Sequence, residues 1–140
     1  MKIFDILNFK KKNKTIWNEY YKSKEVKFKV PEDSIYNLIK KQVPGREKFY
    51  AYSYFGHSVT YKVFMDQIDS AAKAFRSQGI RKGDVVTICM PNTPEALISF
   101  YALNKIGAIA SMIHPLSSEQ EIKNYLISTN SVMMVMIDLC

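Results

Sequence analysis

The pattern of apolar and polar positions predicts a repeated strand-and-helix unit in the second half of the chain. Three short apolar runs begin at Val85, Ile109 and Val132, so their starts are 24 and 23 residues apart. These distances are too long for hairpins and suit a strand, a crossover helix and a second, parallel strand. The runs are continuous and not alternating, which is typical of parallel strands covered on both faces. The sequence therefore predicts an α/β fold with parallel βαβ units.

Three further segments precede these units. The stretch PEDSIYNLIKKQVPG predicts a short helix that Asp33 or Ser34 caps, with an apolar face made of Ile35, Leu38, Ile39 and Val43. The aromatic-rich stretch KFYAYSYFGHSVTY predicts a β-hairpin that turns at Gly56-His57. Thr60 then caps a long helix whose apolar positions have helical spacing: Phe64, Ile68, Ala71, Ala72 and Phe75. The predicted order is a short helix, a hairpin, a long helix and then the parallel units.

The helix ends between the apolar runs carry the residues that such ends require. Thr93 and Ser118 stand where a side-chain oxygen caps the first turn of a helix, and Glu121 completes a capping box with Ser118. Gly79 and Gly107 stand where a helix ends and the backbone turns to positive φ. These signals agree with the βαβ pattern of the apolar runs.

Composition and charge narrow the class of protein. The chain has 140 residues, 47% of them apolar and 24% charged, which is the balance of an ordinary globular domain. Its net charge is +7, but residues 1–30 hold nine lysines against three acidic residues. The aromatic run from Phe49 to Phe55 is not interleaved with that basic segment, which argues against nucleic-acid binding. We therefore divide the chain into a basic lead-in, residues 1–30, and an α/β part, residues 31–140.

The sequence also allows a prediction of the protein's location in the cell. No window approaches the roughly 18 apolar residues of a membrane span, and the first residues do not have the order of a secretory signal. Cys89 and Cys140 form no CxxC or Cys/His cluster, so we expect no zinc site and a cytoplasmic protein. In the lead-in, apolar residues between Ile3 and Phe9 precede the run KKKNK. We expect a solvated arm, and the alternative is peripheral membrane contact.

One ordered set of residues carries a family resemblance. Its members are Thr60-Tyr61, Gly79, Lys82-Gly83-Asp84, Val85-Val86, Asn92, Glu95, Gly107-Ala108 and Pro115. In this order and spacing, the set resembles the N-terminal part of the adenylate-forming enzymes, the AMP-binding superfamily of acyl-CoA synthetases and their relatives. The resemblance covers about residues 55–138. The pairing of His114 with Pro115 is most similar to the fatty-acyl or medium-chain acyl-CoA ligases.

The resemblance implies an enzyme that uses ATP and Mg²⁺ to convert a carboxylate into an acyl-adenylate and then transfers the acyl group to coenzyme A. A carboxylate is a poor electrophile, and AMP supplies the leaving group, so such a site has to neutralise phosphate charge. The family's phosphate loop and its catalytic lysine would follow Cys140, and the five glycines of this chain are isolated at turns.

We therefore expect the N-terminal fragment of an AMP-forming acyl-CoA ligase, an incomplete N-terminal subdomain of an AMP-binding domain. The expected partners are a small carboxylate and the C-terminal remainder of the chain. No catalytic residue, cofactor ligand or metal ligand is expected within the 140 residues, which are expected to be inactive alone.

One residue remains a candidate for ligand contact. In open parallel sheets, ligands gather at the carboxyl ends of the strands, which are followed here by Asn92, Thr93 and His114. We interpret Thr93 as a helix cap, Asn92 as a turn residue, and Lys82-Gly83-Asp84, which precedes a strand, as a plain turn. His114 is the candidate for contact with substrate or nucleotide, and the alternative is a hydrogen-bonded loop residue.

Two other classes of function remain open at this point. A small flavodoxin-like module would bind a nucleotide or flavin at the strand ends, although the chain offers no phosphate-binding loop. A basic interaction protein would use residues 1–30 on acidic lipid or nucleic acid, in which case its binding would weaken with added salt.

Overall fold

The polypeptide alternates helices and strands as the apolar pattern predicts. In a computed structural model that describes residues 31–137, the elements are α1 Ile35–Gln42, β1 Tyr50–Tyr54, β2 His57–Thr60, α2 Tyr61–Ser77, β3 Val85–Cys89, α3 Pro94–Ile106, β4 Ile109–Ile113, α4 Glu119–Thr129 and β5 Ser131–Met136. The predicted α/β class is confirmed. The predicted basic lead-in, residues 1–30, and residues 138–140 lie outside the described residues.

Three strands form a parallel sheet in the order β4-β3-β5, and β1 and β2 form a separate antiparallel pair. The first residue of β3, Val85, is aligned with Ile109 on one side and with Ser131 on the other. Because β4 and β5 lie on opposite sides of β3, the connection from β4 to β5 passes over the central strand. The parallel pairing was predicted from the spacing of the apolar runs; the strand order was not.

The main core lies between the sheet and a pair of helices. Helices α2 and α3 pack against each other, and α3 packs against β3 and β4. On α2, the predicted apolar face is confirmed, because Phe64, Ile68 and Ala72 are buried and the two remaining positions are partly buried. Thr60 caps this helix by accepting a hydrogen bond from the backbone N–H of Val63 at 3.4 Å.

The predicted apolar face of α1 was wrong in one respect. Ile35 is 47% exposed, and the buried position belongs to Tyr36, which is only 4% exposed. Tyr36 donates its backbone N–H to Asn104 Oδ1 at 2.8 Å and its hydroxyl to Asp69 Oδ1 at 3.4 Å. A tyrosine can be buried when its polar groups find such partners. These partners come from α2 and α3, so Tyr36 fastens α1 to both helices.

An ion pair completes this junction. Lys105 on α3 donates a hydrogen bond to Asp69 on α2, and its ammonium nitrogen lies 5.1 Å from the centre of the Tyr36 ring. Burial by itself lowers the pKa of Lys105, but the hydrogen bonds with Asp69 and Tyr36 outweigh that effect and raise it. The charged form of Lys105 is therefore the one that the junction favours.

The hairpin turns one residue earlier than predicted. Phe55 and Gly56 form the turn with φ of 45° and 81°, and His57 is the first residue of β2, so the placement of His57 in the turn was wrong. Two central residues with positive φ are typical of a type I′ turn, whose twist matches that of the flanking strands. The turn gives Phe55 an unusual position for a bulky residue, since its side chain is 87% exposed.

A polar contact lies within the buried sheet. Thr87 has no exposed surface, and its hydroxyl donates to Ser131 Oγ on β5 at 2.8 Å. Ser131 Oγ lies 3.0 Å from the carbonyl oxygen of Met133 and 3.2 Å from that of Val85, to one of which it donates its own proton. Each hydroxyl therefore has a partner, as buried polar groups require.

Replacing Ser131 with alanine is expected to lower the free energy of unfolding by about 1–3 kcal/mol, because the Thr87 hydroxyl is left buried without an acceptor. Valine has a shape similar to that of threonine, and Thr87→Val removes the hydroxyl that would be left without an acceptor. The double variant T87V/S131A should therefore lose less free energy of unfolding than the sum of the losses in the two single variants. Urea unfolding of the four proteins measures this coupling. Strictly additive losses would contradict it.

Candidate functional site

An apolar cleft opens at the carboxyl end of β3. It has a volume of about 330 Å³ and lies among the hairpin, the start of α3 and the strand β4. Its apolar lining residues include Tyr52, Tyr54, Pro94, Leu97, Phe100 and Met112. We call this feature the apolar cleft. Clefts of this size with mostly apolar walls are the usual form of small-molecule sites.

Aromatic contacts hold the walls of the apolar cleft in place. The ring of Tyr52 meets Phe64 edge to face with 5.5 Å between centroids, and its hydroxyl donates to Gln67 Oε1 at 3.2 Å. Tyr101 packs edge to face against both Phe64 and Phe100, at 5.7 and 5.3 Å. Burial, and then the nearby Tyr61, raise the pKa of Tyr101. This chain of rings joins the hairpin to α2 and α3.

The polar residues at the mouth of the apolar cleft belong to the loop after β3. Thr93 caps α3 as predicted, since its Oγ1 accepts from the backbone N–H of Ala96 at 3.4 Å. Asn92 was interpreted only as a turn residue, and the structure places it in the lining of the apolar cleft. The sequence placed Asn92 and Thr93 near a strand end, but it held no signal that the hairpin would form the opposite wall.

His114 occupies the corresponding loop after β4. It is exposed, and its Nδ1 accepts a hydrogen bond from the backbone N–H of Leu116 at 3.1 Å. Its carbonyl oxygen accepts a hydrogen bond from the backbone N–H of Ser117, also at 3.1 Å. The thiol of Cys89 lies 3.7 Å from the same carbonyl oxygen. His114 is not part of the lining of the apolar cleft. Its contact with substrate or nucleotide stays a prediction.

The loop that holds His114 leads directly into α4. Ser118 and Glu121 form the predicted capping box, which is confirmed. The backbone N–H and hydroxyl of Ser118 donate to Glu121 Oε2 at 2.8 and 2.9 Å, and these bonds lower the pKa of Glu121, with a smaller contribution from the field of His114. The first turn of α4 therefore anchors the loop after β4.

The residues that the structure describes do not fit a Mg²⁺–ATP site. Among residues 31–137, no group of three or more His, Cys, Asp or Glu residues could hold a metal ion. The glycines occupy five separate turns, whereas a phosphate cradle needs successive backbone N–H groups directed at one point. We therefore derive no chemical step from this part of the chain.

Within the same range, no helix is long and apolar enough to cross a membrane.

Two solved structures show which known fold this chain has. The N-terminal subdomain of Klebsiella oxytoca NpsA, solved with 3-hydroxyanthranilyl-AMSN, matches with a TM-score of 0.73 and 22% identity over 76% of this chain and 28% of that one. The N-terminal domain of FACL13 from Mycobacterium tuberculosis matches with a TM-score of 0.71 and 24% identity over 74% of this chain and 27% of that one. The fold is that of the N-terminal subdomain of adenylation enzymes.

The family follows from the sequence. Residues 39–139 match the AMP-binding enzyme family, and the chain belongs to it. The acetyl-coenzyme A synthetase of Shewanella halifaxensis is 41% identical over 81 residues, which are 58% of this chain and 12% of that protein. Acetyl-coenzyme A synthetase 1 of Saccharomyces cerevisiae is 42% identical over 59 residues, 41% of this chain and 8% of that protein. The chain thus spans about an eighth or less of these relatives.

The apolar cleft should bind an apolar fluorescent dye such as anilinonaphthalene sulfonate. Met112→Gln is expected to weaken the binding about fivefold, because it removes roughly 1 kcal/mol of apolar contact from the wall. Leu116→Gln is the matched control, since Leu116 is 82% exposed and lies outside the lining. Fluorescence titration measures both constants, and equal weakening by the two variants would place the dye elsewhere.

Proposed function

We propose that this chain is the N-terminal segment of an AMP-forming acyl-CoA ligase, which joins a carboxylic acid to coenzyme A through an acyl-adenylate. The observation that carries the proposal is the family match over residues 39–139. The relatives at 41% and 42% identity are named acetyl-coenzyme A synthetases, which supports the ligase branch of the family. These observations favour a ligase over the flavodoxin-like module and the basic interaction protein.

For the substrate we propose a small carboxylate. Acetate is the first candidate because of the names of the relatives. A fatty or medium-chain acid, predicted from the His114-Pro115 pair, is the second. ATP, Mg²⁺ and coenzyme A are proposed as the other reactants of the whole enzyme, held mainly by residues beyond these 140, and the cytoplasm remains the predicted compartment.

In this proposal, residues 31–137 act as scaffold. The apolar cleft and the loop of His114 both lie at the carboxyl ends of parallel strands, where ligands of open α/β sheets gather. The scaffold supplies one wall of the enzyme's substrate-binding region, and the remainder of the chain supplies the groups that neutralise phosphate charge.

Exchange of radiolabelled pyrophosphate into ATP tests the proposal, because formation of an acyl-adenylate is reversible. The 140-residue chain is expected to show no carboxylate-dependent exchange. A protein translated from the longest reading frame that contains these residues should show exchange with acetate or with a longer acid, and it should then form acyl-CoA.

Two outcomes would overturn the proposal. Exchange catalysed by the 140-residue chain would refute the scaffold role. Absence of exchange with every carboxylate between acetate and palmitate, in a well-folded longer protein, would refute the ligase assignment.

The predicted contact of His114 with substrate is tested in that longer protein. His114→Ala is expected to raise the KM of the carboxylate or of ATP about tenfold, because roughly one hydrogen bond is lost. His57→Ala is the matched control, because His57 is also exposed and lies at the start of β2. Steady-state kinetics measure both variants. Unchanged kcat and KM in His114→Ala would reduce His114 to a hydrogen-bonded loop residue.

A further inference from the structure

A second cleft opens at the amino-terminal end of the sheet, opposite the apolar cleft. It has a volume of about 300 Å³ and is lined by Arg76, Ile80, Arg81, Lys82 and Ile106. The two isoleucines are buried and form an apolar floor, whereas the three cationic residues are exposed. We call this feature the basic cleft.

The fold positions two of the three cationic side chains. The Nη1 of Arg81 donates to the carbonyl oxygens of Arg76 and Ile80, each at 3.2 Å, which fixes the plane of the guanidinium and leaves its other N–H groups available. The stem of Lys82 lies along Gly107, since a Cβ at that glycine would stand 3.0 Å from Lys82 Cγ. A larger residue at position 107 would displace the lysine.

The loop that carries these residues is tied at both ends. The backbone N–H of Gly83 donates to the carbonyl oxygen of Gly107 at 2.9 Å. The backbone N–H of Ile109 donates to the carbonyl oxygen of Asp84 at 2.8 Å. Asp84 also accepts the backbone N–H of Arg81 at 2.7 Å through Oδ2. The cationic groups therefore stand on a loop that these hydrogen bonds already hold in place. Little further ordering is needed when an anion binds, which lowers the entropic cost of binding.

The charge balance at the basic cleft leaves a small excess of positive charge, which favours an anion. Within residues 31–137, no carboxylate lies within 4 Å of the charged nitrogens of Arg76, Arg81 or Lys82. The carboxylate of Asp84 and the ends of α2 and α3, which each carry about half a negative charge, offset roughly two of the three positive charges. The remaining attraction is modest, so direct hydrogen bonds have to supply most of the affinity.

We propose that the basic cleft binds the phosphate group of a small phosphomonoester. The planar guanidinium of Arg81 matches two phosphate oxygens, and the ammonium of Lys82 adds a point charge beside it. The buried floor of Ile80 and Ile106 suits the carbon atoms next to the phosphate. This site lies at the opposite end of the sheet from the predicted substrate region and does not depend on the proposed ligase activity.

The test follows backbone amide signals of the 140-residue chain by NMR while glycerol 3-phosphate or inorganic phosphate is added at constant ionic strength. Saturable shifts are expected at Lys82, Gly83 and Gly107. Arg81→Gln should raise the dissociation constant about tenfold, because it removes a charge-assisted hydrogen bond. Lys82→Met keeps the stem beside Gly107 and removes only the charge, so it gives a second measure if R81Q folds poorly.

Lys123→Gln on α4 is the control that removes a distant exposed charge. Shifts that do not saturate, or equal weakening in R81Q and K123Q, would overturn the proposal and leave the cations as stabilisers of two helix ends. Vesicles that contain phosphatidic acid distinguish the sources of the phosphate. Binding to vesicles that is lost in R81Q and K82M but kept in K123Q would support the same phosphate chemistry on a lipid headgroup.

Discussion

The burial of β3 is the constraint on which the rest of the structure depends. Val86, Thr87 and Ile88 have no exposed surface, so the backbone N–H and C=O groups on both edges of this strand have to bond to other strands. β4 and β5 supply these partners on opposite edges. On one face, Val86 and Ile88 join the core beneath α2 and α3. On the other, the Thr87 hydroxyl needs an acceptor, and Ser131 provides it. The position of β5 therefore has a polar as well as an apolar determinant.

Parallel pairing gives the two ends of this sheet different chemistry. All three strands start at one end and finish at the other, so the loops that enter strands and those that leave them are kept apart. The loop that leaves β3 is followed by a helix that begins at Pro94, and the hairpin packs nearby, which gives an apolar cleft. The loop that enters β3 lies beside the ends of α2 and α3, where cations such as Arg76 and Lys82 are favoured by the partial negative charge of the helix ends.

Local signals predicted the elements, and long-range contacts decided what the sequence could not reveal. The spacing of Phe64, Ile68 and Ala72 was enough to predict the buried face of α2, because a helix repeats every 3.6 residues whatever surrounds it. The burial of Tyr36 depends on Asn104, which is 68 residues away along the chain. The spacing of apolar residues within a helix gives no information about such a distant partner. The same holds for the apolar cleft, since its walls meet only when the hairpin packs against α2 and α2 packs against α3.

Several of the residues that carry the family resemblance act on the backbone. Thr60 caps a helix, and Gly79, Gly83 and Gly107 have φ of 92°, 90° and 81°, a region that side chains with a Cβ rarely adopt. Gly107 also leaves room for the stem of Lys82. These positions are required by the path of the chain between strands, whatever chemistry the sheet supports. The chain therefore belongs clearly to the AMP-binding enzymes through residues that shape its backbone, because the family match over residues 39–139 includes these caps and turns.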